Sequence, residues 1–293
     1  VSATVKDGNG NLVPNVSVTF VVSGGATFEG GTELTKEAIT NGAGVATALL
    51  ISRVAGDHDV TATVGTNTTT AKTSTFIADE TTAIIGSTDF TVASGAIANN
   101  TATNAVSATV KDAEGNLVPN VNVTFVVSGG ATFDGASEIS KSAVTNSTGV
   151  ATATLVSRVA GDHGVTAKVG TNTTAAKTST FIAGDISGDK STFVINKNII
   201  SADGSSSLTM TFTARDEHNN LVRAADVKFK VEGISSGITL GPISESQGVY
   251  TATLTSTQKG LGNIAIYIDD AALDDMATLP FGVYRSSLEI KVN

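Results

Sequence analysis

The stretch that decides the fold is VSATVKDGNGNLVPNVSVTFVV at Val1–Val22, because it recurs as VSATVKDAEGNLVPNVNVTFVV at Val106–Val127. The two copies stay in register without a gap from residues 1–79 to residues 106–184, with 18 differences in those 79 positions. The period of 106 − 1 = 105 residues is too long for a solenoid repeat and suits a whole β-sandwich domain. The chain is therefore predicted to be a tandem array of domains.

A third, diverged copy follows the first two. TARDEHNNLV at Thr213–Val222 matches TVKDAEGNLV at Thr109–Val118, a shift of 104 residues. GVYTATL at Gly248–Leu254 matches GVATATL at Gly149–Leu155, a shift of 99 residues. The third copy is thus 104 − 99 = 5 residues shorter between these landmarks.

Hydrophobic residues alternate with polar ones inside each copy, which is typical of a strand with one buried face. In the second copy, Val123, Phe125 and Val127 are predicted to face the core. Turns with glycine after aspartate separate the strands, and the third copy has Asn219 at the glycine position, where a left-handed backbone is tolerated. The predicted fold is all-β, with tandem immunoglobulin-like β-sandwich domains in an elongated rod.

Domain boundaries follow from the register of the copies. We predict a sandwich lacking its first strand at residues 1–80, full sandwiches at 83–184 and 186–284, and the first strand of a following domain at 285–293. The first domain is expected to have an open sheet edge and the lowest stability. Short linkers predict a rod about 100 Å long, from about 35–40 Å per sandwich.

Composition excludes several classes of function. The net charge is −9 and lysine and arginine form no run, which argues against nucleic acid and anionic lipid as partners. Apolar stretches are too short to span a bilayer, so no direct membrane insertion by this segment is expected. The absence of cysteine excludes thiol catalysis and cysteine-bound metal. No cofactor is predicted.

Two features could suggest chemistry. Asp57-His58 and Asp162-His163 resemble parts of a Ser-His-Asp site, but neighbouring residues on an extended chain point to opposite faces, which favours polar loop residues. No catalytic residue and no enzyme activity are predicted. An acidic cluster near the end of the chain is a weak candidate for calcium, although the D-x-D-x-D-G pattern is absent. Its members are Asp269, Asp270, Asp274 and Asp275.

The motif A-x-V-x-D-x-x-G-N-x-V-x-x-x-x-V-x-F at Ala3–Phe20 and Ala108–Phe125 resembles the bacterial Ig-like domain of group 1. The motif S-x-x-A-G-x-x-x-V-T-A at Ser52–Ala62 and Ser157–Ala167 strengthens the resemblance. These domains form the passenger of intimin- and invasin-like adhesins of Gram-negative bacteria. The third copy departs from the pattern, with Arg223 in place of proline.

The resemblance implies a cell-surface, extracellular location, with an outer-membrane anchor in a domain outside this segment, as in inverse autotransporters. It implies a role in cell adhesion and virulence, with a host cell-surface or extracellular-matrix protein as the partner. Two alternatives remain open. The repeats are spacers that display a separate binding or catalytic domain, or they are accessories of a glycan-processing enzyme whose catalytic domain lies elsewhere.

Overall fold

The computed structural model describes residues 1–133, 137–269, 271–272 and 286–291. Within these ranges the regular secondary structure is β-strand, apart from one turn of 3₁₀ helix at Glu80–Thr82. Asp79 caps this turn, because its carboxylate accepts a hydrogen bond from the backbone N–H of Thr81 at 3.0 Å. The all-β prediction is therefore confirmed.

The strands fall into three groups along the chain. The first group is β1 (Ser2–Thr4), β2 (Ser17–Val22), β3 (Thr27–Phe28), β4 (Thr35–Ile39), β5 (Val45–Thr47), β6 (Leu50–Ile51), β7 (Gly56–Val64), β8 (Asn67–Thr68) and β9 (Lys72–Phe76). The second group is β10 (Phe90–Val92), β11 (Ala96–Ile97), β12 (Asn104–Thr109), β13 (Asn122–Val127), β14 (Thr132–Phe133), β15 (Ser140–Val144), β16 (Val150–Val156), β17 (Gly161–Val169), β18 (Asn172–Thr173) and β19 (Lys177–Ile182). The third group is β20 (Thr192–Ile195), β21 (Ile199–Ser201), β22 (Ser207–Thr213), β23 (Val227–Glu232), β24 (Ile238–Leu240), β25 (Ser244–Ser246), β26 (Val249–Ser256), β27 (Gly260–Ile268), β28 (Ala271–Ala272) and β29 (Ser286–Lys291).

The second group shows the sandwich in its fullest form. One sheet has the strand order β10-β12-β16-β14, and the other has β11-β19-β17-β13-β15, with β18 beside β17. Strands pair antiparallel except β11, which runs parallel to β19 with Ala96 opposite Phe181. The two sheets enclose one core, in which the rings of Phe90 and Phe125 stack at 6.4 Å between centroids.

The predicted inward face is confirmed. Val123, Phe125 and Val127 are almost fully buried, whereas Val126 between them is 41% exposed. The predicted turn in the third copy is also confirmed, because Asn219 takes φ +67°, in the same region as Gly115 at +89°. Both observations follow from local sequence: a period of two places side chains, and residues that tolerate positive φ place turns.

The first sandwich has a smaller core than the second. In the described chain, β1 pairs with β5 alone, whereas the corresponding strand β12 lies between β10 and β16. Phe90, which fills the second core from β10, is fully buried, and Phe181 is buried in β19, next to the parallel strand β11. The residue that corresponds to Phe181 is Phe76, and it is only half-buried. Within the described residues, β1 therefore has a neighbour on one side only.

The predicted role of the C-terminal segment is wrong. The described part of residues 285–293 is β29, which belongs to the third sandwich and does not start a following domain, because it pairs antiparallel with β27 and parallel with β21. This position matches that of β19, which pairs with β17 and β11. A period-two pattern identifies a strand but not its neighbours, so the sequence fitted a first strand and a last strand equally well.

Candidate functional site at the joints between sandwiches

His58 and His163 are not placed as a Ser-His-Asp catalytic site would require. His58 is buried at the start of β7, and its Nε2 donates a hydrogen bond to the carbonyl oxygen of Val54 at 3.0 Å. Asp57 points to the opposite face, where its carboxylate accepts a hydrogen bond from the hydroxyl of Thr75 at 2.6 Å. The predicted divergence of the two side chains is confirmed. The prediction of a polar loop residue is wrong, because His58 belongs to a strand and to the interior.

What His58 supports is a tight loop that we call the Ser loop, residues 52–56, with equivalents at 157–161 and 256–260. The hydroxyl of Ser52 donates to the carbonyl oxygen of Val54 at 2.7 Å and accepts from its N–H at 3.0 Å. Ser157 makes the same two bonds with Val159, at 2.8 and 2.9 Å. The third copy repeats them between Ser256 and Gln258, at 2.8 and 3.1 Å. All three sandwiches therefore share the serine hydrogen bonds of this loop, but Gly56 and Gly161 take φ +129°, whereas Gly260 does not take a positive φ.

The Asp loop, residues 112–116, lies at the other end of the second sandwich and has equivalents at 7–11 and 216–220. Asp112 Oδ1 accepts backbone hydrogen bonds from Glu114 at 3.0 Å and Asn116 at 2.8 Å. Its Oδ2 accepts a hydrogen bond from the side-chain amide of Asn116 at 2.9 Å. Because the carboxylate holds both the backbone and the amide of Asn116, the direction of that amide is set before any partner arrives.

The Asp loop of the second sandwich forms hydrogen bonds with the Ser loop of the first. Asn116 Oδ1 accepts a hydrogen bond from the backbone N–H of Ala55 at 2.9 Å, and its Nδ2 donates to the carbonyl oxygen of Arg53 at 2.9 Å. Asp112 Oδ2 also accepts from the backbone N–H of Asp79 in the linker, at 3.1 Å. We call this set of contacts the first joint.

The second joint repeats the first in a diverged sequence. Asn220 Oδ1 accepts from the N–H of Ala160 at 2.8 Å, and its Nδ2 donates to the carbonyl oxygen of Arg158 at 3.0 Å. Asp216 Oδ2 accepts from the linker N–H of Gly184 at 2.9 Å. The joint survives the replacement of proline by arginine at position 223, because its bonds come from Asp216 and Asn220 and none of them involves residue 223.

The carboxylates of the joints are charged and enclosed. Burial of Asp112 and Asp216 raises the pKa of each, but the hydrogen bonds from the asparagine amide, the linker N–H and the loop backbone outweigh burial and hold the pKa below its usual value. Both residues are buried, whereas Asp7 in the first Asp loop is exposed. The joint therefore contains a fixed negative charge that is stabilised by N–H dipoles.

A cleft opens beside each joint. The first cleft has a volume of about 900 Å³ and includes the apolar side chains of Phe76, Ile77 and Leu117 in its lining. The second cleft, of about 710 Å³, includes the equivalent residues Phe181 and Ile182. Ile77 is 89% exposed, so the first cleft presents an apolar side chain to solvent. The same surface thus recurs at each joint along the chain.

The proposed calcium ligands are only partly within the described residues. Asp269 is exposed, has φ +49°, and donates its backbone N–H to the carbonyl oxygen of Asp226 at 3.1 Å. Asp270, Asp274 and Asp275 lie outside the described residues. Among the residues that are described, no three histidine, aspartate or glutamate side chains group so that they could hold a metal ion. Calcium binding by this cluster stays a prediction.

No helix in the described ranges is long and apolar enough to cross a bilayer.

Sequence reasoning missed Asn116 and Asn220. The available signal was the asparagine that ends the Asp loop in all three copies, together with the serine that starts each Ser loop. Both residue types are common at turns for purely local reasons, so nothing in the pattern indicated a contact between domains.

Comparison with known proteins agrees with this architecture. Residues 1–77 and 87–182 match the family "Bacterial Ig-like domain (group 1)", and residues 187–282 match "Invasin, domain 3". The inverse autotransporter adhesin YeeJ of Escherichia coli (strain K12) is 29% identical over 286 residues, which cover 96% of this chain and 12% of that protein. The chain thus spans about an eighth of the length of this relative.

Solved structures of adhesins share the fold. The Escherichia coli adhesin FdeC superposes with a TM-score of 0.66 at 23% identity, over 99% of this chain and 90% of that chain. Invasin, described as a bacterial integrin-binding protein, gives a TM-score of 0.59 at 21% identity, over 99% and 55% of the two chains. InvD of Yersinia pseudotuberculosis gives 0.56 at 25% identity, over 71% and 59%. The chain therefore belongs to the bacterial Ig-like domain (group 1) family, and is a segment of the intimin- and invasin-like adhesins, with a third domain of the invasin domain 3 type.

Proposed function

We propose that this chain is a rigid section of the extracellular passenger of a bacterial surface adhesin, which extends from the outer membrane and supports attachment to a host cell-surface or extracellular-matrix protein. The observation that carries the proposal is the pair of matching joints, in which Asn116 and Asn220 bridge successive sandwiches. A passenger must hold its adhesive surface away from the cell. Joints with preset hydrogen bonds do this better than a flexible linker, because a flexible linker leaves the angle between domains free.

The proposed organisation is three sandwiches in a row, at residues 1–80, 83–184 and 186–291, with the outer-membrane anchor in a domain outside this segment. Invasin is described as an integrin-binding protein, which supports a host protein as the partner class. The apolar clefts beside the joints are the surfaces where we expect contact, because exposed apolar side chains rimmed by polar groups favour protein partners. Catalysis forms no part of the proposal, since His58 and His163 are engaged in supporting the Ser loops.

Binding of the purified chain to host cells and to immobilised matrix proteins tests the adhesive role. We expect saturable binding that unlabelled chain displaces. The matched variant is Ile77→Asp, which places a charge in the first cleft at an 89% exposed position and should leave folding intact. Loss of binding in this variant would identify the first cleft as the contact surface, and no saturable binding by the unmodified chain would overturn the adhesive role.

A purely structural spacer is the second candidate. The near identity of the first two copies favours it, with 18 differences in 79 aligned positions, because a duplicated unit adds length without creating a new surface. Under this alternative the chain is rigid but binds no host protein, so the binding experiment separates the two functions.

The rigidity of the joints is tested by the double variant Asn116→Ala/Asn220→Ala. Each substitution removes two hydrogen bonds between sandwiches, each contributing about 0.5–1.5 kcal/mol. We expect small-angle X-ray scattering of the unmodified chain to give a rod of about 100 Å, from about 35–40 Å per sandwich. The double variant should show a lower radius of gyration and a broader distance distribution.

Asn11→Ala is the matched control for this prediction. Asn11 occupies the same place in the Asp loop and makes the same bonds to Asp7, at 2.8 and 2.9 Å, but no preceding sandwich lies against it in the described chain. Scattering from this variant should match that of the unmodified chain. Superposable curves for all three proteins would show that the asparagines do not fix the angles between sandwiches.

A further inference from the structure

The third sandwich differs from the other two at the edge of one sheet. In the second sandwich β15 pairs with the outer edge of β13, and in the first sandwich β4 pairs with β2 in the same way. In the third, β23 corresponds to β13, and β25 corresponds to β15 in chain order. However, β25 pairs with β26 of the opposite sheet, so β23 lies at the end of the sheet order β21-β29-β27-β23. Within the described residues, no strand pairs with the outer edge of β23.

This outer edge presents backbone hydrogen-bonding groups. Backbone groups of successive residues in a strand point to alternate sides. The carbonyl oxygen of Asp226, just before β23, accepts a hydrogen bond from the N–H of Asp269 on the β27 side at 3.1 Å. Phe229 and Val231 alternate with that position, so their N–H and C=O groups point away from β27. Val127 in β13 is the equivalent of Val231, and its N–H donates to the residue that precedes β15 at 2.9 Å.

An apolar pocket lies beside the same edge. Its volume is about 250 Å³, and its lining includes Phe229, Leu240, Ile243 and Ala252. Leu240 and Ile243 are each 40% exposed, so the pocket is open to solvent. Every second side chain of a strand lies on the same face of the sheet. A strand paired with β23 would therefore direct the side chain opposite Phe229 toward this pocket.

Two lysines flank Phe229 on the outward face of β23. Lys230 is exposed, and its Nζ lies 3.7 Å from the centroid of the Tyr267 ring. Lys228 is half-buried, and its Nζ lies 3.1 Å from a carboxylate oxygen of Asp226. Side chains directly opposite each other in an antiparallel pair have Cβ atoms about 4.5–5.5 Å apart, and opposite charges stabilise such a pair. The edge therefore favours a strand with carboxylates opposite the lysines.

A second copy of β23 is disfavoured as the partner of this edge. When two β23 strands pair antiparallel through their outward backbone groups, the two registers with the largest overlap place Val227 or Phe229 opposite Val231. The first register places Lys228 opposite Lys230, and the second places Lys230 opposite Lys230 of the other copy. Like charges directly opposite each other destabilise a strand pair.

We propose that the outer edge of β23 is a docking site for an extended acidic segment of another protein, which adds an antiparallel strand to the sheet. Backbone hydrogen bonds to Phe229 and Val231 hold the segment, its carboxylates meet the two lysines, and an apolar side chain enters the pocket. The first two sandwiches support this geometry, since β4 and β15 occupy the same position. The site is separate from the clefts beside the joints, so the proposal does not depend on the proposed adhesive role.

Hydrogen exchange tests the open edge before any partner is added. The N–H groups of Phe229 and Val231 should exchange about tenfold faster, or more, than those of Lys228 and Lys230, which face β27. In β13, which has a strand on both sides, no such alternation is expected. Protection of Phe229 and Val231 that persists on dilution would show that this chain covers the edge, and protection that dilution removes would show that a second copy does. Either result would overturn the proposal.

A synthetic peptide supplies the acidic strand. The probe is residues 139–145 of this chain, the β15 segment, with the substitutions Ser140→Glu, Lys141→Val and Ser142→Glu. In the register that β15 takes against β13, these changes place glutamates opposite the two lysines of β23 and valine opposite Phe229. We expect saturable binding by isothermal titration calorimetry, together with slower exchange of the outward amides of β23 and unchanged exchange in β13.

Charge reversal makes the result specific. The matched peptide has lysine in place of both glutamates and should bind the unmodified chain at least several-fold more weakly. Lys230→Glu should shift the preference toward the lysine peptide. Val231→Pro removes one outward N–H, which an edge strand tolerates, and should weaken binding of the acidic peptide while exchange in β27 stays unchanged. Equal binding of the two peptides to the unmodified chain, or no saturable binding of the acidic one, would overturn the proposal.

Discussion

Phe125→Ala is expected to destabilise the second sandwich by about 3–5 kcal/mol, the usual cost of emptying a buried aromatic site. Phe125 is fully buried in β13 and stacks on Phe90 from the opposite sheet, with 6.4 Å between ring centroids. Its removal leaves a cavity between two sheets that are held by their own hydrogen bonds, so the surroundings can collapse only in part. Hydrogen exchange of the β13 amides measures the loss for this sandwich alone.

Val126→Ala is the matched control for Phe125. Val126 is the next residue on β13 but points to the outer face, where it is 41% exposed. We expect a change of less than about 1 kcal/mol, as for a surface substitution. A loss below about 1 kcal/mol for Phe125→Ala would contradict the assigned inward face, because a slip of one residue exchanges the two faces of a strand.

Asp112→Ala is expected to destabilise the second sandwich by about 2–4 kcal/mol, because removal of the buried carboxylate leaves several N–H donors without an acceptor. Those donors come from Glu114, Asn116 and the linker residue Asp79. The Asn116 amide also loses its support, so the first joint should loosen together with the loop. Hydrogen exchange of β12 and of the linker amides should rise in the variant.

Asp7→Ala removes the same carboxylate from a loop that is exposed and makes no linker bond in the described chain. Water can replace the lost bonds there, so we expect a much smaller loss of stability than for Asp112→Ala. If both variants lost the same stability, the linker bond and the burial of Asp112 would contribute nothing to the joint.

The charge of Asp112 also sets a pH dependence. Its folded-state pKa lies below the unfolded value, because the hydrogen bonds from Asn116 and the linker outweigh burial. The stabilisation is therefore complete above the unfolded pKa of about 3.9 and is lost as pH falls through the lower folded-state pKa. The second sandwich should weaken in acid below about pH 4, and Asp112→Ala should weaken less.

Much of the fold could be predicted from the sequence because its determinants are local. The alternation around Phe125 specified which side chains face the core, and Asn219 specified a turn without glycine. The place of Ser286–Lys291 could not be predicted in the same way. Its alternating pattern identifies a strand, but its pairing with β27 and β21 depends on the register of distant segments.

The candidate site was less accessible to sequence reasoning than the fold. The motifs that end at Asn116 and begin at Ser52 were visible as conformational signals of turns, and their role within each loop followed from local chemistry. The contact between the two loops could not be predicted, because the residues of each loop are explained by hydrogen bonds within that loop.

The sequence by itself thus determined the repeat, the all-β sandwiches, the inward faces and the turns, since each depends on residues a few positions apart. Only the tertiary structure decided that Asn116 bridges Ala55 and Arg53 across 61 and 63 positions of chain, and that Asn220 repeats the contact. The physical reason is that the asparagine amide bonds to backbone groups, which every residue type has. The joint therefore hardly restricts which residues can occur in the partner loop, and the sequence of that loop does not reveal the contact.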